Sequence, residues 1–306
     1  MAAMAYNAQL GKIGIWAAAL RMDDPARRGQ VGEAAAELEE LGYGTLWIGG
    51  SPSPDMAQQL LEATTKATVG TSILSIWDHA APQVAARHTQ LNDEHDGRFL
   101  LGLGVSHGEK PTGNDHRANH PLADRPYSAM RGYLDVLDGA TRPVPAQQRA
   151  LAALGPKMLQ LAKERSLGAI PYLVTPEHTS EARDILGADP VLAPELKAIV
   201  LPEGGDRDAA RATARGYLSM YLGFANYRNS WLRLGFEEAD FAGGGSDRLI
   251  DAVFALGTPE QIRARVDEFY AAGADHVALQ VVTENTGIDL PLPQWRTLAE
   301  VLPVAG

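Results

Sequence analysis

Several groups of residues in this sequence have the types and spacings that chemistry needs. Gly102-Leu103-Gly104-Val105-Ser106-His107-Gly108 is spaced like part of a dinucleotide fingerprint. Its third spacing is wrong, however, and a proline-containing loop follows where a helix should start. Two glycines at a strand end leave two readings open. The missing Cβ lets a planar ring lie against the backbone, or it relieves crowding in a tight core. His107 closes the segment, and an imidazole can exchange a proton near neutral pH. Gly155-Pro156-Lys157 suits a helix start, with Gly155 as N-cap and Pro156 as first helical residue. The first-turn N–H groups and the helix dipole would face a phosphate there, with Lys157 adding a charge. An ordinary capped helix with a solvated lysine explains the same residues. Asp78-His79 and the Asp115, His116 and His120 group offer metal-ligand types. No glutamate–histidine helix motif accompanies them, and a solvated loop is the simpler account. His88 and His95 fall in a helical segment and read as structural or surface residues. Glu37, Glu39 and Glu40 read as a solvated helix face.

Composition removes other chemistries. The 306 residues include no cysteine, which excludes disulfides, thiolate metal sites and a cysteine nucleophile. The formal net charge of −11 repels phosphate backbones and anionic lipid, so nucleic acid and membrane surfaces are not expected partners. No G-x-S-x-G elbow, phosphate-binding loop or zinc helix is present. The first residues lack a basic region ahead of their apolar run, and no stretch is apolar for about 18 residues. A soluble, cytoplasmic protein acting on a small molecule is expected.

The elements that must position these groups alternate regularly. Short apolar runs lie at 12–18, 45–50, 67–76, 98–106, 148–154, 169–175, 196–203 and 275–282. Each is followed by a segment of helical period, the first opening at Pro25 and closing at Gly42. After the seventh run comes a long helical region from Asp206 to about Gly235. Residues 236–257 then look like an inserted segment before the next standard helix. Continuous, non-alternating apolar strands imply a parallel sheet covered by helices. Eight such units without a break predict one (β/α)8 barrel spanning residues 1–306, with chemistry at the carboxyl ends of the strands. A doubly wound open sheet is the competing architecture.

In order and spacing, GYGTLWIGG at strand 2, the block from ATVGTSILSIWDHAAP to GRFLLGLGVSHG, and ALGPKMLQLAKERSLGAIPYLVTPEH resemble the bacterial luciferase-like family. The resemblance is to its branch using the deazaflavin coenzyme F420, and it covers most of the chain. It implies a (β/α)8 TIM barrel with an inserted helical segment after strand 7, a homodimer, and a cofactor ring lying over the strand ends. Cofactor contacts are then expected at Trp47, Gly49, Ser72, Ile73, Leu74, Gly104 and Ser106, with the phosphate at Gly155, Pro156 and Lys157. A non-prolyl cis peptide is expected at Ser72-Ile73, with Leu74-Ser75 as the neighbouring alternative. Trp16, Trp47, Trp77 and the segment after strand 7 would wall the pocket. One departure matters. Deazaflavin sugar-phosphate dehydrogenases of this family carry an Asp-His pair after the strand 2 tryptophan, whereas here Trp47 is followed by Ile48, Gly49, Gly50 and Ser51. His107, where those enzymes carry an acidic residue, is left as the proton donor or acceptor. The expectation is an F420-dependent oxidoreductase passing a hydride between the deazaflavin and a small organic substrate. An FMN-dependent monooxygenase is the alternative in the same fold. A non-catalytic barrel that merely holds a flavin or deazaflavin is the alternative of another class.

Overall fold

The computed structural model describes residues 9–21, 24–106 and 121–304. His107 and the Asp115, His116 and His120 group lie outside the described residues.

The apolar runs form parallel strands: β1 (Ile13–Ala17), β2 (Thr45–Gly49), β3 (Thr68–Ser72), β4 (Leu74–Ser75), β5 (Phe99–Gly104), β6 (Arg149–Leu151), β7 (Gly168–Ala169), β8 (Val191–Leu192), β9 (Glu195–Val200), β10 (Phe254–Gly257) and β11 (Val277–Val281). Hydrogen-bonded order runs β10-β9-β11-β1-β2-β3-β5-β6-β7-β8. Only residues 193–194 separate β8 from β9. Pro194 has no N–H to give the ladder, so one stave is split in two. On one side of this stave Ala193 N donates to Ala169 O and Glu195 N to Pro171 O, both at 2.9 Å. On the other side Asp275 N donates to Leu192 O at 2.9 Å and Ala278 N to Pro194 O at 3.0 Å. Counting β3 with β4 and β8 with β9, the ring closes as a (β/α)8 barrel.

The insertion follows the seventh stave, as expected. It contains the helices Arg207–Leu218, Ala225–Arg233 and Asp247–Val253. Its last residues differ from the sequence reading. Phe254–Gly257 is a strand paired in register with Lys197–Val200, outside the eight staves. Four residues are too few to show a period, which is why the strand could not be read in advance.

Strand parity sorts the core into two layers. Ile13, Ile15, Leu46, Ile48, Val69, Leu101, Leu103 and Leu279 pack outward with the helices. Trp16, Trp47, Leu100, Ala150, Ile170 and Ala278 fill the interior. The indoles fit because the facing strands carry glycine. A Cβ on Gly70 would lie 2.6 Å from the Trp47 ring, and one on Gly49 would lie 2.4 Å from the Trp16 ring. Below Trp47, His276 is fully buried. The indole N–H can only donate, so His276 Nε2 must accept it at 3.0 Å, leaving Nδ1–H to donate to Gly11 O at 2.8 Å. Both nitrogens are committed in the neutral ring.

The acidic run on the first helix, Arg28–Glu40, is not simply solvated. Glu37 pairs with Arg296, and Glu39 accepts backbone N–H groups from Thr65, Lys66 and Ala67 at 2.6–3.0 Å. Burial raises the Glu39 carboxyl, but these N–H groups outweigh it and hold the pKa below the usual value.

Burial pulls His88 and His276 down to about 4. The unfolded chain therefore binds more protons than the fold between pH 6.5 and 4, and stability must fall as pH drops through that window. Each histidine withdraws on the order of 2 kcal/mol. Denaturant unfolding at pH 7 and pH 4.5 should show the loss, and a flat profile would refute this account of the two rings.

Candidate active site

At the carboxyl ends of the strands lies a cavity of ≈ 350 Å³, within the size range of small-molecule sites. Trp16, Ser72, Ile73, Ala152 and Ile170 come from the staves, and Val105 and Ser106 from the end of β5. Gly50 and Ser51 line it beyond β2, and Leu154, Gly155 and Met158 at the next helix start. Met220, Tyr221, Asn226 and Tyr227 of the insertion form the remaining wall.

The cofactor residues expected from the sequence divide cleanly. Ser72, Ile73, Ser106 and Gly155 line the cavity, and the Ser72–Ile73 peptide bond is cis. Trp47, Gly49, Leu74, Gly104, Pro156 and Lys157 do not line it. Trp47 is buried in the barrel interior on His276, and Leu74 packs in the outer core. The space over Gly49 holds the Trp16 ring. A Cβ on Gly104 would lie 2.6 Å from Ile73 Cγ1, so this glycine acts on the cavity floor through Ile73. Gly102 relieves crowding, since its Cβ would fall 1.9 Å from Thr71 O. Pro156 opens the helix Pro156–Arg165, and Lys157 is exposed on it. No side chain caps this helix at Gly155, around which there is open space. Trp77 is not a wall either. Its indole N–H donates to Val105 O at 2.5 Å and so holds a lining residue in place.

The structure also assembles a polar group that sequence reasoning missed. Lys197 and Gln280 sit side by side in the β9–β11 register, and both are buried. Lys197 Nζ lies 2.6 Å from Glu195 Oε2 and 3.6 Å from the centre of the Tyr172 ring. The Tyr172 hydroxyl bonds that of Tyr217 and donates to Gln280 Oε1 at 3.2 Å, with the Tyr221 hydroxyl 3.4 Å away. Tyr172 and Tyr221 line the cavity, so an ion pair and a hydroxyl network stand directly behind its wall. Burial lowers Lys197 to about 8 against the opposing pull of Glu195, and it raises Glu195 against the pull of Lys197. Burial also lifts the Tyr172 phenol well above its ordinary range. One signal was available in advance: a charged pair at alternate positions of an otherwise apolar strand, Glu195-Leu196-Lys197.

Side chains pin the insertion to the strand ends. Trp231 Nε1 donates to Leu173 O at 3.1 Å, and Arg233 donates to Leu154 O at 3.0 Å. His178 Nε2 meets the same Leu154 carbonyl at 3.0 Å, which fixes the turn into Gly155.

The sequence matches the luciferase-like monooxygenase family over residues 12–276. The chain belongs to that family. It is accordingly an enzyme of the oxidoreductase class, and the non-catalytic alternative falls away. No curated protein sequence matches it. Among solved structures it is similar to an F420-dependent secondary alcohol dehydrogenase in complex with an F420–acetone adduct, at 17% identity and a TM-score of 0.64 over 97% of this chain and 99% of that one. It is also similar to the coenzyme F420-dependent tetrahydromethanopterin reductase of Methanopyrus kandleri, at 16% identity and TM-score 0.66 over 95% and 98%. The oxygenating constituent of 3,6-diketocamphane monooxygenase from Pseudomonas putida, in complex with FMN, gives 15% and 0.66 over 96% and 98%. At these identities the likeness is one of fold.

The ion pair makes a sharp prediction. Lys197→Met leaves Glu195 buried without its counter-charge and should cost about 3–5 kcal/mol in denaturant unfolding. Lys197→Met with Glu195→Leu should recover most of that loss. A double variant as unstable as the single one would contradict the pairing.

Proposed function

We propose that this protein is a coenzyme F420-dependent oxidoreductase, with the deazaflavin ring in the strand-end cavity and a small organic substrate against the insertion. The observation that carries this is the cavity's shape and chemistry. Trp16, Ile73, Ala152 and Ile170 make much of the lining apolar, and the insertion adds the rings of Tyr221 and Tyr227. Such a lining suits a flat, largely apolar ring. The open, uncapped helix start at Gly155 lies at the same cavity, with Lys157 beside it, and suits an anionic tail. When bound, the deazaflavin supplies two-electron hydride chemistry.

The chain's own residues exclude water, orient both partners and handle one proton. His107 remains the proposed proton donor or acceptor. The hydroxyls of Tyr172 and Tyr221 are the described candidates to assist it. A dehydrogenase mechanism through an Asp-His pair after Trp47 is not carried over, because the Trp16 ring fills the space over Gly49. FMN is the second candidate cofactor: the same slot suits its ring, and the similarity to an FMN-bound monooxygenase of the same fold supports it. The cytoplasmic location and homodimer suggested by the sequence remain part of this proposal.

Absorbance titration of micromolar protein with F420, and separately with FMN, tests the assignment. F420 should bind and FMN should bind more weakly. Absence of deazaflavin binding would sink the primary proposal, and retention of FMN through purification would favour the monooxygenase. Ala152→Phe fills the slot beside Ile73 and should weaken binding by about tenfold or more, or roughly 1.4 kcal/mol. Tyr172→Phe should leave binding intact while slowing turnover.

A further inference from the structure

Two cavities meet at one pair of hydroxyls. Beside the strand-end cavity, an outer cleft of ≈ 510 Å³ lies between the helix Arg207–Leu218 and the segment following β11. Thr213, Gly216 and Tyr217 line it from the helix, and Thr283, Asn285 and Thr286 from the segment. A polar cleft of this size holds water. Tyr217 lines the outer cleft and Tyr172 the strand-end cavity, and their hydroxyls are hydrogen-bonded to each other. Tyr221, one turn on from Tyr217, also lines the cavity, and its hydroxyl lies 3.4 Å from both. A continuous run of phenol oxygens thus crosses the wall between the two spaces.

Gln280 makes that run reversible. Its amide is fixed, because Nε2 donates to the Tyr217 oxygen at 3.0 Å. Its Oε1 lies 3.2 Å from the Tyr172 hydroxyl and 3.3 Å from that of Tyr217. When Tyr217 donates to Tyr172, Tyr172 donates to Oε1. With the hydrogens reversed, Tyr172 donates to Tyr217 and Tyr217 donates to Oε1. Both arrangements keep the two hydroxyl hydrogens bonded, so neither is penalised by a lost hydrogen bond. Burial lifts all three phenols above their ordinary range, which keeps them neutral near pH 7. They therefore pass a proton by exchanging hydroxyl hydrogens and not by standing ionised.

We propose that Tyr217 is a proton-relay residue, linking water in the outer cleft to the strand-end cavity through the hydroxyl of Tyr172. As an acceptor in the cavity takes the Tyr172 hydrogen as a proton, Tyr172 takes that of Tyr217, and Tyr217 takes one from the solvent. Each phenol oxygen ends with one hydrogen, and a proton released in the cavity leaves by the reverse steps. The relay lets the cavity gain or lose a proton while ligands fill it.

That the relayed proton serves hydride transfer rests on the redox assignment above, but the relay itself can be tested without cofactor or turnover. The full chain, labelled with carbon-13 at tyrosine Cζ, is followed by NMR in equal parts of H2O and D2O. Each Cζ signal shifts when its hydroxyl is deuterated and so reads the rate of hydroxyl exchange, and single Phe variants assign the signals. Tyr172 should exchange nearly as fast as Tyr217. Tyr217→Phe keeps the ring that stacks on Tyr221 but removes the linking hydroxyl. Exchange at Tyr172 should then slow by about tenfold or more, because it must wait on local opening of the wall. Gly216→Leu fills the outer cleft from a position where a Cβ meets nothing within 4 Å, and should slow exchange at both tyrosines. Unchanged exchange at Tyr172 in either variant would overturn the inference, since its protons would then arrive from the cavity side. The absorbance titration reads cofactor binding independently, so either idea can fail while the other stands.

Discussion

The pairing of Lys197 with Glu195 is the interaction on which the active end of the barrel depends. Both side chains point into the barrel from one strand, where neither could remain charged alone. Held 2.6 Å apart, they cancel as seen from the cavity, and the ammonium is also spread over the face of Tyr172. Tyr172 is thereby fixed from behind, with its hydroxyl engaged by Tyr217 and Gln280. Its ring is thus available as a wall. Among the described residues this paired charge couples barrel interior, insertion and cavity in one network.

Beneath that network the barrel solves a packing problem. Large rings from β1 and β2 must share a closed interior, and each can do so only where a neighbouring strand gives up its side chain. Trp47 lies over Gly70, and Trp16 over Gly49. The second of these substitutions of ring for side chain has a functional consequence. The place after Trp47 where related enzymes carry an acid and a histidine is, in this chain, glycine backbone covered by an indole. In the proposed assignment the proton is handled instead by His107, helped by the hydroxyls of Tyr172 and Tyr221.

The barrel was legible in the sequence because a buried parallel strand must be apolar on both faces, and the helices between strands carry clear starts such as Pro25 and Pro156. The site was legible in part. Ser72, Ile73, Ser106 and Gly155 reach the cavity because they stand at strand ends or at a helix start, where position alone dictates which way backbone and side chain face. Trp47 and Gly104 do not line the cavity themselves, and their place could not be read for the same reason that Glu195 and Lys197 were missed. Whether a strand residue faces the interior or the helices depends on parity, and which interior level it occupies depends on register with neighbours far away in sequence. Phe254–Gly257 shows the same limit: its pairing with Lys197–Val200 is a property of two segments and not of either alone.

In the proposed assignment the insertion is the wall that the substrate meets. The staves deliver a generic apolar slot, since small residues such as Ala152 and Ala153 leave room without selecting a ligand. Selection has to come from the wall that closes it, and that wall is anchored at discrete points. Trp231 reaches the Leu173 carbonyl, Arg233 the Leu154 carbonyl, and Tyr217 and Tyr221 the Tyr172 hydroxyl. Two of these anchors are backbone carbonyls, which survive any substitution of the side chains at 154 and 173. Exposed residues between the anchors, Met220 and Asn226 among them, can then vary without releasing the insertion from the barrel. With the proposed cofactor in the slot held by the staves, a wall tethered through backbone is a construction in which substrate preference can change while the redox chemistry is kept.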